Sequence, residues 1–156
     1  MEVRTAVATD VPELARLWRE FGAYYADLDP ERFKIPGDDG LEKWIAAGME
    51  RASEQWLVAE HDGVIVGYAV GQIIEPHEHA DLKLLTDAAA TRLGINVVQT
   101  SESSRRRGVA TALLHALEDW GRSRGAELVL AETAIDSPVA VPFWDQAAGY
   151  ARTSVR

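Results

Sequence analysis

A chain of 156 residues, 47% hydrophobic and 26% charged, has the size and balance of one soluble globular domain with a substantial core, so a single domain spanning 1–156 is expected. Its formal charge of -9 repels polyanions and argues against nucleic acid, while a cationic or amine partner is favoured. With no cysteine at all, disulfides, thiolate metal sites and a cysteine acyl-enzyme are excluded.

Glu2 to Val7 alternates polar and apolar residues and predicts a first strand. Asp10 then stands where a helix N-cap belongs, with Pro12 just inside, and Val11, Leu14, Leu17, Trp18 and Phe21 share one helical face to about Gly22. Tyr24 to Pro36 mixes aromatics, charges and prolines and reads as a loop or a broken helix, whose Tyr24, Tyr25 and Phe33 either line an acceptor pocket or pack the loop. Leu41, Trp44, Ile45, Gly48 and Met49 predict a second helix over roughly 39 to 52. Two β-rich runs, Gln55 to His61 and Val64 to Ile74, flank Asp62-Gly63, a pair suited to the positive φ angles of a tight hairpin turn. That second run is broken by glycines and too short to span a bilayer, and the first residues lack the charged-then-apolar layout of a signal peptide. No membrane and a cytoplasmic location are therefore expected.

Glu75 to Leu93 is acidic and His-containing, a long connection with at most a helical turn over Asp87 to Leu93. Gly94-Ile-Asn-Val-Val-Gln-Thr100 is a β-branched strand, and Val109 to Arg124 places apolar residues at 109, 110, 113, 114, 117 and 120 in helical spacing, ending near Gly125. Glu127 to Thr133 predicts another strand, Ser137 to Ala148 a final helix, and Gly149-Tyr150 leads into a last extended piece ending at Arg156.

The join between the 94–100 strand and the following helix carries the most chemistry. A helix start presents unpaired N–H groups and the positive end of the helix dipole, and Gly108 lets a phosphate oxygen approach the backbone without meeting a Cβ. Arg105, Arg106 and Arg107 add positive charge to this phosphate cradle. The pattern Arg105-x-x-Gly108-x-Ala110 resembles the acyl-CoA pyrophosphate motif, Gln/Arg-x-x-Gly-x-Gly/Ala, of the general-control-type N-acetyltransferase (GNAT) superfamily. The predicted order β-α-α-β-β-β-α-β-α-β is that family's order, so the resemblance covers essentially the whole chain.

The resemblance implies a mixed α/β fold with a mostly antiparallel, twisted sheet that splays between its fourth and fifth strands, flanked by about four helices. It implies acetyl-CoA as co-substrate and direct attack by a small-molecule or peptide amine. Main-chain groups of Val98, Gln99 and Thr100 would meet the pantetheine, and the turn from Arg105 through Arg106, Arg107, Gly108, Val109 and Ala110 to Thr111 would meet the pyrophosphate. A second family landmark, Asn-x-x-Ala-x-x-Phe-Tyr-x-x-x-Gly-Phe, is approximated by Ser137, Ala140, Phe143, Trp144, Gly149 and Tyr150, with one extra residue before Gly149. Ser137 would thus stand for the asparagine at the cofactor site. Trp144 falls where the family often has a tyrosine that protonates the leaving thiolate, and the fourth strand lacks the carboxylate that often serves as base.

Three side chains are candidates for the missing proton chemistry. Glu75 and His77 belong to a cluster with Glu78, His79 and Asp81 that could attract an ammonium acceptor, and Glu132 either points into the cleft or caps the strand end. The i, i+2 spacing of that cluster fits a solvated connection better than a ligand set, so no metal is expected. A homodimer is one possible assembly. Two alternatives stay open: a transferase using a longer acyl-CoA, and a non-catalytic acyl-CoA-binding or regulatory module.

Overall fold

The computed structural model describes residues 1–133 and 137–153. Its strands β1 (Glu2–Thr5), β2 (Glu54–His61), β3 (Val64–Ile74), β4 (Arg92–Thr100) and β5 (Leu128–Ala131) lie side by side in chain order. Neighbours from β1 to β4 are antiparallel, whereas β5 runs parallel to β4. A parallel neighbour needs a crossover, and helix α3 (Val109–Ser123) supplies it. The mixed sheet with helices on both faces agrees with the fold class read from the sequence.

Period-two alternation along the strands divides the core between the two faces. Val58, Tyr68, Val70 and Val97 pack with Leu14 and Leu17 of α1 (Val11–Leu28) and Ile45 of α2 (Leu41–Glu50). Ala59, Ala69, Leu93 and Ile95 pack on the other side with Leu113, Leu114 and Leu117 of α3. The β2–β3 hairpin turns as expected, with φ of 51° at Asp62 and 77° at Gly63.

Several boundaries differ from the expectation. Helix α1 does not end near Gly22 but continues to Leu28, taking Tyr24 and Tyr25 into the helix. Gly22 serves close packing instead: a Cβ there would lie 2.5 Å from Cδ of Pro36. Asp10 sits at the start of α1 but does not cap it. Its carboxylate reaches back to the N–H of Val7 at 2.8 Å and takes a two-pronged bond from Arg4 at 2.7 and 3.0 Å. The final helix is a short α4 (Ala140–Pro142) followed by a π-helical turn over Phe143–Ala147, closed by Ala148 N–H to the Phe143 carbonyl at 2.8 Å. An added residue inside a helix is absorbed as such an i to i+5 turn, which accounts for the extra residue before Gly149. The last extended piece forms no strand over 151–153, and its remainder, 154–156, lies outside the described residues.

Candidate active site

The β4–β5 ladder opens part-way. The two strands pair from Arg92 with Leu128 to Ile95 with Ala131 and no further, so among the described residues Asn96 to Thr100 has β3 on one side and no strand on the other. The opening begins at a bulge: Val97 pairs with Val70 and Ile95 with Gly71, leaving Asn96 without a partner residue. Asn96 is exposed in the cleft, between buried Ile95 and Val97. Beyond it, the side-chain oxygens of Gln99 and Thr100 are buried without hydrogen-bond partners.

β4 runs directly into the arginine turn. Arg106 and Gly108 both take positive φ, 62° and 79°, and Gly108 immediately precedes α3. The first helical bond is Ala112 N–H to the Gly108 carbonyl, so the N–H groups of Val109, Ala110 and Thr111 precede it, and no side chain caps them. A Cβ on Gly108 would meet nothing within 4 Å, so the space in front of its backbone is open. Among the described residues Arg105, Arg106 and Arg107 make no ion pair. Arg105 lies 5.6 Å over the ring of Tyr24, and Arg107 lines a smaller hollow with Ser104 and Val109. Positive charge that the protein leaves unspent, on a backbone already bent to expose N–H groups, suits an anionic ligand.

Next to the opened strands lies a cleft of about 440 Å³, within the range of small-molecule sites. Asn96 and the stretch Val129 to Thr133 form its sheet side, and Phe21, Tyr25 and Phe33 face it from α1 and the segment after it. Trp144 and Tyr150, with ring centroids 5.0 Å apart, close the third side. Burial, and then the Glu118 carboxylate, push the Tyr150 phenol far above its ordinary value, so it stays protonated. Asp145 and Arg152 pair at the rim, and the Arg152 guanidinium holds the Asp145 carboxyl below the usual range.

Of the three proton-transfer candidates, Glu132 stands on the cleft wall. Glu75 and His77 do not. Both are exposed beyond Ile74, which pairs with Arg92 at the end of β4 remote from the arginine turn, and the His77 ring accepts the N–H of His79 at Nδ1. Ser137 is 2% exposed, and its Oγ accepts the N–H of Ala140, which makes it the opening of α4. Asn96, Arg32 and the packing of Arg105 on Tyr24 were not anticipated. A lone polar residue in an otherwise β-branched run was the only sign of Asn96, and nothing local marked the other two. Among the described residues no group of three His, Asp or Glu side chains is placed to hold a metal ion, and no helix is long and apolar enough to cross a membrane.

With a splayed β4–β5 pair, a glycine-opened anion turn and a bordering cleft in place, the family is clear: the chain belongs to the acetyltransferase (GNAT) family, which its sequence matches over residues 14–150. None of the curated proteins matches it significantly. Among solved structures it resembles a mutant of a Bacillus halodurans protein, with a TM-score of 0.88 and 16% identity over 100% of this chain and 96% of the other. It also resembles AAC(6')-Iy in complex with the bisubstrate analogue CoA-S-monomethyl-acetylneamine, with a TM-score of 0.74 and 19% identity over 99% and 93% of the two chains. A third is an aminoglycoside acetyltransferase from an uncultured soil metagenomic sample, in complex with trehalose, with a TM-score of 0.72 and 19% identity over 99% and 91%. At these identities the likeness is one of fold.

Proposed function

We propose that the protein is an acetyl-CoA-dependent N-acetyltransferase in which a small-molecule or peptide amine attacks the thioester directly. The observation that carries this reading is that β4 parts from β5 after Ile95 and runs, open on that side, into the turn made by Arg106 and Gly108 at the start of α3. One continuous stretch thus offers main-chain groups for an amide-bearing chain and N–H groups for a pyrophosphate. In this reading Val98, Gln99 and Thr100 hold the pantetheine, Arg105 to Thr111 hold the pyrophosphate, and Ser137 borders the site by opening α4. The printed names of two structural neighbours, one in complex with a CoA bisubstrate analogue and one an aminoglycoside acetyltransferase, are consistent with a CoA donor and an amine acceptor.

In the transfer, the amine nitrogen forms a bond to the acyl carbon as the carbon–sulfur bond breaks, the electron pair leaves on sulfur, and the ammonium proton is lost. The interrupted ladder at Asn96 leaves β4 main-chain groups available to steady charge developing on the carbonyl oxygen. Glu132, on the cleft wall, is the group we assign to accept the ammonium proton, directly or through water. Glu75 and His77 would reach the cleft only through solvent. Trp144 has no ionisable proton, so sulfur leaves as thiolate or is protonated by water, which a thiol pKa of about 8.5 makes tolerable.

Calorimetric titration with CoA tests the site. The Gly108→Glu variant should lose binding, because its side chain and charge occupy the open space before the α3 N–H groups, while the circular dichroism of the protein is retained. An unchanged affinity would overturn the assignment.

A further inference from the structure

We infer that the acceptor is an amine that also carries a carboxylate and an apolar or aromatic body, an amino-acid-type substrate, and that Arg32 recognises the carboxylate. This rests on reading the cleft as the acceptor side of an N-acetyltransferase.

The charges around the cleft are unequally spent. Its described walls carry two guanidinium groups, Arg32 and Arg152, and two carboxylates, Glu132 and Asp145. Arg152 is committed to Asp145, with both Nε and Nη2 donating to that carboxylate. Arg32 is held more loosely, by a long ion pair with Asp29. Its Nε is 3.9 Å from Asp29 Oδ2, beyond hydrogen-bond distance, and among the described residues its side chain makes no hydrogen bond. The guanidinium also lies 5.8 Å over the ring of Phe33, which orients it while its N–H donors stay unbonded among the described residues. A planar fork of N–H donors, held by stacking at the mouth of a cleft, matches a carboxylate.

The remaining walls decide the body of the ligand. Phe21, Tyr25, Phe33 and Trp144 make the cleft aromatic on two sides, which suits an apolar or aromatic side chain. A polycationic acceptor would meet two guanidinium groups, Arg32 and Arg152, with Asp145 already held by Arg152. A simple apolar amine would fill the aromatic walls but leave Arg32 unused. An amino acid satisfies the walls, the guanidinium and, at its amine, Glu132.

Binding of matched products separates these cases without requiring turnover. N-acetyl-L-phenylalanine and N-acetylphenethylamine share ring and amide and differ only in the carboxylate; neamine represents the polycationic class. In calorimetric titrations of the full chain, the carboxylate-bearing compound should bind roughly tenfold or more tightly than its decarboxylated partner, the scale of a charge-assisted bond. Arg32→Gln should erase that preference, and Arg32→Lys should keep part of it. Arg32 is more than half exposed, so neither variant threatens folding. Equal affinity for the two products, no binding of either, an unaltered preference in Arg32→Gln, or tighter binding of neamine would each overturn the proposal. Failure of CoA to bind would instead count against the transferase reading, since the product titrations are also run without CoA.

Discussion

β2 and β3 stay paired from Glu54 to His61, whereas β4 and β5 part company after Ile95. Polar groups follow the same division. In the first half of the sheet Arg4 donates to Asp10 at 2.7 and 3.0 Å and to Glu60 at 3.4 Å, and Asp10 also takes the Val7 N–H. In the second half Gln99 and Thr100 keep buried oxygens without partners, and three consecutive arginines make no ion pair among the described residues. In the first half the charged groups Arg4, Asp10 and Glu60 satisfy one another, although the buried Tyr68 hydroxyl of β3 also lacks a partner. The other half withholds hydrogen-bonding capacity, which is what a surface meant for a ligand must do.

The largest test of this contrast is Asp10→Ala, which should cost about 2–3 kcal/mol in urea unfolding by leaving Arg4 and the Val7 N–H without their acceptor. CoA affinity should not move. Hydrogen bonding from Arg4 first, and from Val7 after it, lowers the Asp10 pKa against the opposing effect of burial. A carboxyl depressed by folding stabilises fully above its unfolded value of about 3.9, and the contribution disappears as pH falls through the folded value. Asp10→Asn should therefore flatten the acid limb of the stability profile below about pH 4. An acid limb identical to wild type would remove the proposed lock from the first half.

Gly67 lies on the seam between the halves. Its added Cβ would fall 2.7 Å from the Gln99 carbonyl oxygen and 2.9 Å from Val109 Cγ1, so Gly67→Ala has to push β4 away or lift the first turn of α3. We expect a loss of about 1–3 kcal/mol together with weaker CoA binding, whereas Gly37→Ala, with nothing within 4 Å, should do neither. Lost stability with undiminished CoA affinity would show that the two halves are less coupled than this contact suggests.

The smallest expected effect is that of Trp144→Phe. Its ring packs on Phe143 and Tyr150 at 5.0 Å and supplies no proton, so kcat should stay within a few-fold. A drop of about a hundred-fold, typical of losing a general acid, with CoA binding intact, would show that this part of the cleft does chemistry.

Legibility in the sequence tracks how local each signal is. Asp62-Gly63 and Gly108 declared their turns because the required positive φ depends on the residues themselves. Gly22 misled, because a glycine late in a helical pattern resembles a helix end, and its use here depends on Pro36, distant in sequence. Asp10 misled likewise, since a cap position predicts its place but not that Arg4 would claim its carboxylate. The bulge at Asn96 follows from pairing across three strands, and the placement of Arg32 on the cleft depends on α1 running on to Leu28. The glycine turn before α3 is therefore readable from local residues, while the cleft, assembled from distant segments, is not.

A strand edge with unspent N–H and carbonyl groups is also a template on which other extended chains can add, by aggregation or domain exchange. Among the described residues the stretch Asn96 to Thr100 is such an edge, kept short by the bulge at one end and the Arg106–Gly108 turn at the other. A ligand lying along it would act as the missing strand and cap the sheet. By mass action, a ligand at a hundred times its Kd adds about 2.7 kcal/mol to the folded state. If the proposed CoA binding holds, the stability of the fold would then depend on how much of that ligand is present.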